Sequence, residues 1–294
     1  MSSLSKSIQT KLTTMKKIIL FLSMALFSLG IEAQVKAPQP SPASKIEQVI
    51  GLTDVSVEYS RPSMRGRAIF GNLVPYDKLW RTGANKNTQI TFSDDVKVAG
   101  KELKKGTYAI YTKPGKENWE IIFYSDANNW GTPQKWDDTK VAATATVKAN
   151  TLPMNVETFT IMFSDFKMDS AVMNFIWANT EAAVTITTAA KAQTIASIEK
   201  TMAGPTDRDH YLAATFYKDS GEFAKAKEHI DKAISLRKEP AFWYHRQQSL
   251  IYSLAGDKDG AIKAAKTSLE LAEKAGNADY VKMNKDSLAE WGAK

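Results

Sequence analysis

The sequence predicts a β + α multidomain chain: an antiparallel β-sandwich over about residues 44–188, then an all-α domain of helical hairpins over 189–294. Three observations carry this reading. Apolar residues alternate in short runs through the first part, and turn signals recur between those runs. After Ala189 the spacing becomes helical, in segments rich in Ala, Lys and Glu. At 294 residues, with 43% hydrophobic and 24% charged residues, the chain has a globular composition and is long enough for two domains.

The first element is a processing segment. Lys16-Lys17 precede twelve mostly apolar residues, Ile18 to Leu29, and then Ile31-Glu32-Ala33. A basic stretch, a short apolar stretch and a small residue at the cut define a signal peptide over 1–33, with cleavage near Ala33 and Met15 as the true start. The apolar run falls short of the roughly 20 residues a membrane span needs. The expected product is soluble and periplasmic or secreted, with no membrane span. It has no cysteine, which excludes a lipid tether, disulfides and thiolate or dithiol chemistry. Without residues 1–33 the net charge falls from +7 to +4, spread evenly over both parts. Nucleic acid is therefore not expected as a partner.

Residues 34–43 read as a proline-rich leader. Strands follow at Val55/Val57/Tyr59, Ile90/Phe92, Val96/Val98, Tyr108–Tyr111, Trp119–Phe123, Val141–Val147, Phe159–Phe163, Ala171–Trp177 and Ala182–Thr187. Turns fall at Ser93-Asp94-Asp95, Ala99-Gly100-Lys101, Lys105-Gly106 and Lys113-Pro114-Gly115. Many short strands with regular turns indicate a sandwich or barrel, read here as a β-sandwich.

In the helical part Tyr217, Gly221, Ala226 and Ala233 recur 35 residues later as Tyr252, Gly256, Ala261 and Ser268. A bulky residue, a turn glycine and two small residues describe closely packed helix pairs. This spacing resembles the tetratricopeptide repeat family, whose helix pairs hold protein partners. His210 and Ala213, or His245 and Gln248, stand where the family's first helix has tryptophan and leucine. Two units are legible, with 189–203 and 278–291 as capping helices. The helices either hold an unknown protein partner or simply pack on the sandwich.

Tyr59–Asn85 is the densest stretch of the chain. Arg61, Arg65, Arg67, Lys78 and Arg81 face a single acid, Asp77, with Phe70, Tyr76 and Trp80 interleaved. Guanidinium forks suit carboxylate, phosphate or sulfate oxygens, and aromatic faces suit stacking or sugar contact. Candidate ligand residues are Arg61, Arg65, Arg67, Tyr76, Trp80, Arg81 and Asn85, for an anionic small molecule or glycan. The alternative is a set of arginines that staple a long excursion to the sandwich. The motifs Ser60-Arg61-Pro62-Ser63, Arg65-Gly66-Arg67, Ile69-Phe70-Gly71, Leu73-Val74-Pro75-Tyr76 and Trp80-Arg81-Thr82-Gly83-Ala84-Asn85 resemble those of domain of unknown function 2911, as do Gly106-Thr107-Tyr108 and Trp130-Gly131. That resemblance covers about 41–187 and implies an exported bacterial β domain, common in Bacteroidota, with no established activity.

Enzyme signatures do not complete. Gly66–Gly71 has the glycine spacing of a phosphate loop, but Asn72-Leu73 replace its Lys-Ser/Thr. No G-x-G-x-x-G and no G-x-S-x-G occurs. All three histidines lie in the helical part, as packing or surface residues, so the sandwich offers neither a Ser–His pair nor a zinc set. No catalytic residue, metal or cofactor is expected. The catalytic alternative is a carbohydrate-active hydrolase using Asp126, Asp137 and Asp138 beside Trp130 and Trp136; the structural alternative makes both parts scaffold.

Overall fold

The computed structural model describes residues 37–202 and 204–293. The signal peptide, its cleavage site and the start at Met15 lie outside the described residues. Nine strands form the first part: β1 Ala43–Ile50, β2 Thr53–Ser60, β3 Thr88–Phe92, β4 Val96–Val98, β5 Lys101–Leu103, β6 Gly106–Pro114, β7 Asn118–Tyr124, β8 Val141–Ser164 and β9 Ser170–Thr188. Their order is β1-β2-β3-β6-β7-β8-β9-β4-β5, and every pair of neighbouring strands is antiparallel.

The sandwich comes from one sheet folded over on its longest strand. The start of β8 pairs with β7, from Val141 to Lys148, and its later half pairs with β9, from Ala149 to Ser164. Within the β9 pairing the register slips between Thr151 and Val156, where Pro153 gives no ladder donor, and again between Val156 and Thr160. Burial resumes at Phe159 and Ile161. The inward faces of both layers merge in one core that includes Val57, Ile90, Ile110, Trp119, Phe123, Phe159, Phe175, Trp177 and Val184.

Four of the strands read from sequence are two strands in the structure. β9 is continuous across Ala178, whose φ is 51° and which pairs with Val156 between the two irregular stretches of β8. Residues 171, 173, 175 and 177 are buried before it, whereas 178, 182, 184 and 186 are buried after it. The alternation changes phase there, which in sequence looks like a turn. β1 and β5 were not read at all. β1 is an edge strand whose burial alternates, but its inward positions Ser44, Ile46, Gln48 and Ile50 are half polar, so no apolar alternation marks it in sequence.

Six helices follow: α1 Ala190–Thr201, α2 Asp207–Asp219, α3 Phe223–Leu236, α4 Phe242–Leu254, α5 Lys258–Lys274 and α6 Ala278–Glu290. α2 starts at a capping box, Thr206 with Asp209, and Asp257 and Asn277 cap α5 and α6. The repeated residues take repeated geometry. The amides of Glu222, Asp257 and Asn277 donate to the carbonyls of Tyr217, Tyr252 and Ala272, and each closing turn uses a left-handed glycine, Gly221, Gly256 or Gly276. Ala226, Ala233 and Ala261 are fully buried between helices, where a larger side chain would hold them apart. None of the helices is long and apolar enough to cross a membrane, among the described residues.

Strands and helices meet at one end. Gly51, at φ 62°, leaves room where an added Cβ would lie 2.5 Å from Ala190 Cβ. The Ser220 hydroxyl donates to Met168 Sδ at 3.6 Å.

Candidate functional site

The 61–87 excursion closes the gap between the two layers. Its start runs along β8: Met64 N donates to Glu157 O, Phe159 N donates to Pro62 O, and Ser63 bridges Thr158. Its end joins β6, where Trp80 and Thr112 exchange both backbone bonds, at 2.8 and 3.0 Å. Ile69 and Val74 are buried under it, with Met64, Phe70 and Trp80 packed alongside.

Strain is concentrated in its last turn. Thr82, β-branched and fully buried, sits at φ 56°, with Asn85 at 58° and Gly83 at 148°. The Thr82 hydroxyl donates to Thr112 Oγ1, and its carbonyl accepts from Thr88 Oγ1. Trp80 Nε1 donates to Gly83 O at 3.1 Å. The turn is held from every side, which is what keeps such dihedrals in place.

A cleft of about 340 Å³ opens beside this turn, lined by Ser41, Pro62, Arg67, Leu73, Val74, Trp80, Arg81, Gly83, Ala84, Asn85 and Trp177. Four of the seven candidate residues meet there: Arg67, Trp80, Arg81 and Asn85. Arg67 is held by carbonyls, Nε on Met64 O at 2.9 Å and Nη2 on Ser63 O at 2.7 Å. Arg81 Nη1 donates to Asn85 O at 2.8 Å, and its guanidinium lies against Gly131, where an added Cβ would be 3.2 Å from Cζ. Among the described residues neither arginine pairs with a carboxylate, and no acid lines the cleft. The positive charge there is fixed in place and not neutralised.

The other three candidates lie elsewhere. Arg61 staples the excursion to β8, with Nε on Phe159 O at 3.1 Å and Nη2 on Thr160 Oγ1 at 2.7 Å. Arg65 is exposed at φ 50°, its amide donating to the Glu157 carboxylate. Tyr76 packs over Gly71, with Lys116 Nζ 5.8 Å from its ring centre. Asn85 braces the cleft floor, its amide donating to Ser41 O and Ser60 Oγ. Trp80 belongs as much to the core as to the cleft: it stacks on Trp177 at 5.8 Å and meets Phe70, Trp119 and Phe159 edge-on. The stretch is thus both staple and cleft, divided residue by residue. Trp177 and Pro62 were not among the candidates; no spacing links Trp177 to the motif, and only β9 brings it there.

The loop aspartates are occupied as turn residues. Asp126 pairs with Lys140 at 2.8 Å, and that bond holds its carboxyl below the usual range. Asp137 caps a one-turn helix, and bonds from Thr139 hold it low as well. Asp138 accepts from Trp136 Nε1 at 2.8 Å. A glycosidic general acid needs a raised pKa, whereas Asp126 and Asp137 have theirs lowered. Behind this loop Trp136 stacks on Tyr124 at 4.5 Å, and burial pushes the Tyr111 phenol up to about 12.

The helical part carries a second cleft, about 460 Å³, lined by Asp207, Arg208, Tyr211, Leu212, Arg237, Trp243 and Tyr244. Arg237 lies over the rings of Tyr244 and Trp243 and pairs with Asp207 at 2.8 Å. The histidines are packed rather than free: His210 and His229 face each other through Nδ1 at 2.9 Å, and His245 contacts Gln248.

No curated protein matches this chain. A protein of Bordetella parapertussis with a structure solved in solution is 18% identical, over 33% of this chain and 84% of its own, with a TM-score of 0.30. Residues 41–186, the strand-forming part that contains the arginine cleft, match the family described as "Protein of unknown function (DUF2911)", which supports placing this part of the chain in that family.

Proposed function

We propose that the chain is an exported, non-enzymatic binding and interaction protein of two domains. Its β part takes an anionic small molecule or glycan at Arg67 and Arg81, and its tetratricopeptide-like helices contact a protein partner. One observation carries the first half: two arginines line one cleft, bonded among the described residues only to neutral oxygens, with no acid among the lining residues. Guanidiniums positioned in this way bind anions without first breaking an ion pair. Half-exposed Trp243 and Leu212 at the helical cleft support the second half. Export follows from the segment before Gln34.

The test is a thermal-shift screen of the purified chain against acidic sugars, phosphates and carboxylates, repeated with Arg81→Ala. A ligand at about 100 times its dissociation constant adds roughly 2.7 kcal/mol. The proposal expects a hit that the variant loses. Hits equal in both proteins, or none, would return the stretch to a purely structural role.

A further inference from the structure

We propose that the arginine cleft takes a small organic acid of single-ring size, with its anionic group on Arg67 and Arg81 and its apolar body against Leu73, Val74 and Pro62. The proposal rests on the anion-binding reading above and narrows it. The cleft wall has two chemistries. Arg67, Arg81, Ser41, Asn85 and the Gly83–Ala84 peptides supply the polar part of the lining, and Pro62, Leu73, Val74 and the two tryptophans supply the apolar part. A bare inorganic anion would use only the first and leave the apolar part against water.

The donors are available. Among the described residues, Arg67 spends Nε and Nη2 on carbonyls, which leaves Nη1, and Arg81 bonds through Nη1, which leaves Nε and Nη2. Each guanidinium is oriented by the bonds it already makes, so little order is lost when a carboxylate arrives.

The packing of Trp80 argues against a sugar. A pyranose stacks on an open ring face, but Trp80 has one face stacked on Trp177 and is packed edge-on by Phe70, Trp119 and Phe159. The volume, about 340 Å³, lies at the low end for ligand pockets, which run from about 300 to 1,000 Å³, and sets the single-ring size.

The experiment is titration calorimetry of the full chain with three probes: phenylacetate, its neutral isostere phenylacetamide, and inorganic phosphate. Phenylacetate should bind most tightly, with each of the others weaker by about tenfold or more. Arg67→Gln and Arg81→Gln should each weaken phenylacetate by about tenfold. Leu73→Glu should do the same by placing an acid on the apolar rim. Arg67 and Leu73 are exposed, so these two variants keep the test valid even if Arg81→Gln fails to fold. Phosphate binding as tightly as phenylacetate, and weakened by Arg67→Gln, would overturn the organic-acid proposal and leave the anion site standing. Phenylacetamide binding as well as phenylacetate, no binding by any probe, or binding untouched by both arginine variants would overturn both.

Discussion

Trp80 and Leu73 line the same cleft, yet they differ in what surrounds them. Four aromatic side chains pack on the Trp80 ring, whereas Leu73 is 42% exposed. Trp80→Ala should therefore cost about 3–5 kcal/mol in urea unfolding, the range for deleting a packed aromatic. Leu73→Ala should stay within about 0.5 kcal/mol. Equal, small costs would mean that Trp80 is a ligand platform and not part of the core. The turn below them is as constrained. At Gly83 an added Cβ would meet Ser60 O at 2.9 Å on a φ of 148°, so Gly83→Ala should cost about 1–3 kcal/mol and distort the cleft with it. The arginines, the glycines and Asn85 were legible because the motif is contiguous in sequence. Which arginines staple and which face the cleft was not legible, because that depends on where β8 passes. Arg61 meets the 159–160 segment, while Arg67 turns back onto Ser63 and Met64.

At the scale of elements, hairpins and helix turns show how far local chemistry reaches. Ala99-Gly100 joins β4 to β5 with both φ values positive, 47° and 80°, the pattern of a type I′ turn. Ala99 is exposed, and asparagine tolerates this conformation better, so Ala99→Asn should add about 0.5–1 kcal/mol to unfolding stability. A loss would show that the contact of the Ala99 amide with Thr185 O depends on the alanine backbone as it stands. The turn itself was readable from sequence, as were the three-residue strand β4 and the helix ends at Gly221 and Gly256. Long strands were not. Alternation identifies which face of a strand is buried, so an irregularity that shifts the phase by one residue, as at Ala178, reads as a break between two strands. β8 hides its continuity differently: 150–155 run beyond the core, where no burial pattern exists to mark them.

For the whole molecule, the decisive fact is that the main core of the strand part and the core of the helices are distinct. One is built from strands and the 61–87 excursion, the other from α2–α4, and the junction at Gly51, Ala190, Met168 and Ser220 is small by comparison. All three histidines belong to the second. Burial holds the imidazoles of His210, His229 and His245 below the ordinary 6.5. Lys232 lowers His210 further, against Asp209 and Glu228, and His229 feels His210 and Lys225 against Glu228. With Nδ1 atoms 2.9 Å apart, His210 and His229 cannot both carry a proton there without repulsion. The unfolded chain therefore binds more protons than the folded one as pH falls through about 6.5. The stability these groups contribute is present above that pH and is lost below it, toward their depressed folded values. The strand part has no histidine to respond. Calorimetry at pH 7.5 and 5.5 should then show two transitions, of which only the helical one moves down with acid, and His210→Gln should blunt that movement. Phenylacetate should raise only the other. A single transition that shifts as a unit under both acid and ligand would mean that the small junction couples the two cores, so that a ligand at Arg81 would be felt at Trp243.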